Sequence, residues 1–457
     1  MNMREHWKNL CEVKYTAGTL HYSTLGIVRT IFFLLWGTFF FALLEYVLVP
    51  TLLPLSFKQL GTSGALMGIM LGSVPSAINF FMNPILSTMS DRTRTKLGRR
   101  IPYLLYTIPL VTLSCVALGW IPELTLLFCK VIPADPKSTA LVLLCILTVI
   151  FYVTGLFGGS IGCYLPPDVL PFSFIGRFQA ASSIVISGAS FAFNYYLMPY
   201  AQTHSKWLFT GIGIAFAFCY GLMCIMVKEG EYPPPEKEDG GEKSSLAGKV
   251  FRSFTGYFKE CFSEHFFVLL FMGIAVTQVS TRCRGIFNII FATKDLALTT
   301  AQYGYITAVG SLVSLGVSLC GIFWIDRVNP LLVYMGSGIP ILLLNVWGFF
   351  AVHDYQSFFL VGVMITIAYS VQNLGFVPAM MLVLPKEKFG QYSSANAMVC
   401  CIVSILGSYF CGIAVDCFGN RFIYGWDFFF TILATAILWK NYCDWKKRSG
   451  AASGKKS

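Results

Sequence analysis

The chain has 457 residues, 56% of them hydrophobic and only 12% charged, and it carries a net charge of +11 at pH 7. A soluble protein of this length has about 25% charged residues, and here the apolar residues fall in long runs, which excludes a soluble globular enzyme. The positive charge gathers in a few loops, which argues against nucleic acid as a partner and for the lysine and arginine bias of cytoplasmic loops.

Residues Met1 to Ser23 are polar and mixed, with no short apolar core ahead of a small-residue cleavage site, so they do not read as a signal peptide. A span needs about 20 mostly apolar residues. Twelve such stretches are predicted: Thr30–Leu53, Gly64–Met89, Ile101–Ile121, Ala140–Tyr164, Phe178–Tyr200, Lys206–Val227, Phe266–Phe291, Gln302–Trp324, Pro330–Val352, Phe358–Val377, Ala395–Cys417 and Ile423–Trp439. The expected organisation is an N-terminal segment (1–25), a six-helix bundle (26–227), a linker (228–264), a second six-helix bundle (265–440) and a tail (441–457). The linker contains KEGEYPPPEKEDGGEKSSLAGK, a Pro, Glu, Gly and Lys composition typical of flexible connections.

Basic residues concentrate in the N-terminal segment, the second-to-third loop (Arg92, Arg94, Lys96, Arg99, Arg100), the linker and the tail. That asymmetry predicts both termini in the cytoplasm and a multi-pass protein of the plasma membrane, the inner membrane if the source is bacterial. The fifteen cysteines form no Cys-x-x-Cys pair, and most fall within predicted spans as small apolar residues. Neither a metal nor a cofactor is expected. There is no Walker-type loop, serine nucleophile elbow or zinc helix motif, and the five histidines sit in tails or at span ends, so the chain does not read as an enzyme or an ATP-driven pump.

The halves repeat. Ser90-Asp91-Arg92 after the second span matches Ile325-Asp326-Arg327 after the eighth. Leu170-Pro171 with Gly176 after the fourth span matches Leu384-Pro385 with Gly390 after the tenth. Two signals in the same order support two parallel six-helix bundles.

Ser90 to Tyr103, SDRTRTKLGRRIPY, resembles the loop signature of the major facilitator superfamily. Its extended form with Arg-Arg-x-Pro, the PPDVLP of Pro166 to Pro171 and the Gly-Arg-Phe of Gly176 to Phe178 are similar to the glycoside–pentoside–hexuronide:cation symporters and the sucrose transporters. The resemblance implies an all-α integral membrane fold of twelve helices in two bundles. It also implies a secondary active transporter, a symporter of a glycoside, disaccharide or hexuronide with a proton, working by alternating access as one chain in the lipid bilayer. An uncoupled facilitator, a transporter of another small polar solute and a non-transporting membrane sensor are the alternatives. Asp91, Arg92, Arg100, Asp168, Arg177, Asp326 and Arg327 are the expected cytoplasmic gate, in which arginines pair with acids on adjacent loops. Where melibiose-type carriers of this group hold two sodium-binding aspartates, this chain has Asn79 and Asn83 ahead of Pro84, so a sodium site does not carry over. The two amides share a helical face and suit a polyol.

Ionisable residues inside a span are expensive and need a reason. Glu45, in FFFALLEYVLVP, is the proton-coupling candidate, with Thr38 on nearly the same face. Arg282 and Arg284 lie in the seventh span; Arg282 shares a face with Gln278. In the architecture the resemblance implies, the first and seventh spans face each other. Glu45 is then a partner for one arginine, or an arginine meets a carboxylate or phosphate on the substrate. Tyr369, Gln372 and Asn373 share a face of the tenth span, and with Tyr152 they complete the substrate-binding candidates.

Overall fold

The computed structural model describes residues 13–232, 261–321, 327–385 and 388–453. Asp326, most of the linker and the outermost termini lie outside the described residues. Strands β1 (Val13–Ala17) and β2 (Leu20–Ser23) form an antiparallel hairpin, whose turn at Gly18 has φ +57°, a conformation that glycine adopts without penalty. Everything long after it is helix. Ser23 caps α1 (Thr24–Gln59) by accepting from the Gly26 amide at 3.1 Å.

The helices that follow are α2 (Gly64–Arg92), α3 (Ile101–Gly119), the short α4 (Ile121–Val131), α5 (Pro136–Val169), α6 (Phe172–Ala192) and α7 (Ser205–Met226). After the linker come α8 (His265–Asp295), α9 (Thr300–Gly321), α10 (Pro330–Ala351), α11 (Tyr355–Val383), α12 (Phe389–Phe418) and α13 (Phe422–Lys447). Among the described residues, 11 helices are long and apolar enough to cross a membrane. The twelfth, α6, carries five serines, Arg177 and Gln179, which lower its hydropathy. Twelve long helices are thus present among the described residues, as expected, and the short α4 is an addition to the expected spans. Helices also overrun their predicted ends: α1 starts at Thr24 rather than Thr30 and continues to Gln59.

Prolines shape the helices. Wide π turns occupy Ala42–Leu48, Ile69–Ser73 and Phe193–Leu197, each ending two residues before a proline (Pro50, Pro75 and Pro199), while a fourth, Phe291–Asp295, has no proline after it. A proline has no N–H, and its ring presses on the carbonyl four residues back. Widening the preceding turn relieves that clash and keeps the helix continuous.

The chain divides into two compact units. Among the described residues the first comprises 13–62, 77–232 and 298–315, and the second 63–76, 261–297 and 316–453. In the first, α1 and α3 pack on α7, and a Cβ added at Gly119 would meet Phe209 at 2.7 Å, so the helices approach closely. In the second, α8 is central: 67% of its apolar stretch is buried, the largest share of the eleven. Phe267, Phe271, Tyr334, Met380, Tyr392 and Leu438 form its core. The first residues of α2 also belong to this unit. Gly64, Gly68 and Gly72, four apart, lie against Ser408 and Gly412 of α12, a small-residue crossing of the kind that packs helices in membranes. The Asp416 carboxylate accepts from the Gly64 and Ala65 amides at 2.6 and 2.9 Å, capping α2 from α12.

Candidate functional site

In the first unit Glu45 sits on the π turn of α1. The side chain is half-buried, and its Oε2 is fully occluded without a hydrogen-bond partner. It fits because α5 presents glycine there. A Cβ at Gly155 would lie 2.9 Å from Glu45 Oε2, one at Gly158 would lie 2.9 Å from the Phe41 ring, and one at Gly162 would lie 2.9 Å from the Tyr220 hydroxyl. This stripe, read from GLFGGSIG, lets α1 and α7 close on α5.

A cavity of about 240 Å³ opens in the same unit, lined among others by Thr38, Tyr46, Cys163, Gln179, Ser182 and Tyr220. Thr38 donates its hydroxyl to the Leu34 carbonyl at 2.8 Å, while the buried Ser182 Oγ has no partner. Asn79, Asn83 and Tyr152 are half-buried and stand outside this lining; Asn83 Oδ1 is buried without a partner. Tyr152 packs its ring against Phe151 at 6.0 Å.

In the second unit the two arginines of α8 have different surroundings. Arg284 donates to Asp427 of α13 at 2.8 Å and to the Asn345 side chain of α10, with Tyr424 beneath its guanidinium at 4.7 Å. Asp427 is completely buried and also accepts from Tyr369 (2.6 Å), Thr431 (3.1 Å) and Ser280. Arg284 therefore has its counterion on α13. Tyr369, grouped by spacing with Gln372 and Asn373, serves this pair rather than a cavity.

Arg282 lies two positions earlier, about 200° around the helix. It is exposed to a cavity of about 300 Å³ that also takes in Gln278, Thr281, Tyr334, Gln372 and Asn373. Four residues singled out from sequence (Gln278, Arg282, Gln372 and Asn373) thus meet around one space. Asp427 escaped the sequence reading, although a lone acid in FIYGWDFFF carries the same signal as Glu45.

The third constellation is the loop between α2 and α3. Arg100 donates to Asp91 at 2.6 Å, to Asp168 at 3.1 Å and to the Ser90 hydroxyl. Arg99 makes a two-point contact with Asp168 at 2.6 and 3.0 Å. Gly98, at φ +107°, makes the tight turn before them. Glu229, just past α7, accepts from the backbone amides of Arg99, Arg100 and Ile101 at 2.9, 2.8 and 2.7 Å, which caps α3. The Tyr232 ring lies 4.2 Å from the Arg99 guanidinium, and burial pushes its phenol up to about 12. Of the expected gate residues, Asp91, Arg100 and Asp168 come together, and Arg99, Glu229 and Tyr232 join them. Arg92 is exposed at the end of α2, Arg177 lies over the Phe174 ring at 5.8 Å, and Arg327 is exposed.

The sequence profile of the Major Facilitator Superfamily matches residues 34–408. A search of curated proteins finds no match. Among solved structures, a D-xylose–proton symporter superposes with a TM-score of 0.64 at 14% identity, covering 92% of this chain and 98% of its own. A bacterial homologue of the human lysosomal transporter Spinster, inward-facing and unoccupied, gives 0.62 at 12% identity over 91% and 96%. The nucleoside transporter NupG gives 0.56 at 14% identity over 92% and 98%. At these identities the likeness speaks for the fold alone.

Proposed function

The chain belongs to the Major Facilitator Superfamily and is a membrane transporter of a small molecule, and we propose that it carries a sugar together with a proton. In this reading it is a plasma-membrane symporter, related to the glycoside–pentoside–hexuronide and sucrose carriers, with both termini in the cytoplasm. The observation that carries the reading is Glu45. A carboxyl without a fixed cation partner takes up and releases a proton without stranding a buried guanidinium, and Arg284 already has its counterion in Asp427. The cavity of the first unit suits a sugar. Thr38, Gln179 and Ser182 offer hydroxyl and amide groups to a polyol, and Tyr46 and Tyr220 offer ring faces. The pairs among Asp91, Arg99, Arg100 and Asp168 act as a gate on the cytoplasmic side, breaking as the transporter opens there.

Uptake into proteoliposomes tests this. Radiolabelled sugars are offered with and without an imposed proton gradient, to the natural chain and to Glu45→Gln. Gradient-driven accumulation that is lost in Glu45→Gln supports proton symport through that carboxyl. Equilibration that ignores the gradient and the substitution makes the protein a facilitator and Glu45 a structural residue.

A further inference from the structure

The two arginines of α8 form an internal comparison. Arg284 is enclosed, and its charge is balanced by Asp427. Arg282 opens to the cavity of the second unit, where its Nη1 donates to the Ser76 hydroxyl at 3.3 Å. Among the described residues of its own unit no carboxylate stands within ion-pair distance of it. Asp427 is unavailable, because its two oxygens already take Arg284, Tyr369, Thr431 and Ser280. An arginine in a membrane span needs a counter-charge, and one held open to a cavity without a protein acid takes that charge from what enters the cavity. The rest of the lining fits an anion flanked by hydroxyls. Gln278, Gln372 and Asn373 each present an amide that both donates and accepts, and Thr281 adds a hydroxyl.

We propose that the transported solute is an anion, a sugar-sized polyol bearing a carboxylate or a phosphate, and that Arg282 binds its charged group. The inference deepens the sugar–proton reading and rests on it for the proton. It has an electrical consequence. One proton moving with one monoanion transfers no net charge, whereas one proton moving with a neutral sugar transfers one positive charge. Uptake of a carboxylate sugar therefore responds to a pH gradient and not to a membrane potential.

The test uses the full-length protein in liposomes with labelled glucose, glucuronate and glucose 6-phosphate. Each is offered with a pH gradient alone and with a potassium–valinomycin potential alone. The natural chain is compared with Arg282→Gln and Arg282→Lys, and thermal unfolding of each purified variant reports whether it folds. The expected result is uptake of glucuronate or glucose 6-phosphate at least tenfold above glucose. Arg282→Gln lowers it tenfold or more and Arg282→Lys lowers it less. For glucuronate the potential alone drives nothing. Which of the two anions is taken decides between carboxylate and phosphate. Gradient-driven glucose uptake that Arg282→Gln leaves intact overturns the proposal and keeps the proton reading. Anion uptake that needs Arg282 but ignores the pH gradient supports the anion site and removes the proton. Transport of none of the three probes by folded protein overturns the proposal.

Discussion

Replacing Asp427 by asparagine removes one charge from a site closed to water and changes almost nothing in shape. The carboxylate is completely buried and accepts four hydrogen bonds, from Arg284, Tyr369, Thr431 and Ser280. Arg284, with its side chain only 11% exposed, would keep Asn345 as an acceptor and the Tyr424 ring beneath it, but no counterion. Breaking a buried ion pair from one side costs about 3–5 kcal/mol, because the stranded charge is left desolvated. Removing both charges together strands nothing, so Asp427→Asn/Arg284→Gln is expected to lie about 2 kcal/mol or more above the single variant in stability. Unfolding of the purified protein in detergent can be followed with a thiol-reactive dye, since Cys283 and Cys411 in the same unit are buried until the helices separate. A midpoint for Asp427→Asn equal to that of the natural chain would refute the reasoning. So would a double variant no more stable than the single one, because the pair would then not be coupled.

Gly68→Ala should lower the unfolding midpoint, because a Cβ there falls inside contact distance of the Ser408 carbonyl, which is backbone and cannot swing away. Gly188→Ala meets open space within a helix and should be neutral or stabilising by up to about 1 kcal/mol; equal midpoints for the two would mean that α2 and α12 do not approach as closely as described. Glu229→Ala leaves three amides at the start of α3 without their acceptor, so hydrogen–deuterium exchange at Arg99, Arg100 and Ile101 should quicken. Unchanged exchange there would remove Glu229 as the cap.

The amino-acid sequence by itself determined which segments cross the membrane, because an apolar run of span length has no stable alternative to a helix in lipid. It also marked Glu45, Arg282 and the SDRTRTKLGRR loop, since a charge in such a run, or a cluster of charges between runs, stands out in one dimension. The π turns lay beyond it, because Pro84 and Pro109 sit within helices that have none, and the turn at Phe291–Asp295 has no proline after it. Partner choice was decided only by the tertiary structure. Arg282 and Arg284 are near-identical in sequence context, yet one faces a cavity and the other finds an acid 143 residues away. Tyr369 shares its spacing with Gln372 and Asn373 but turns to Asp427. Helical periodicity assigns residues to a face, whereas the charge opposite that face depends on which helix packs there and in what register, and no local signal encodes it.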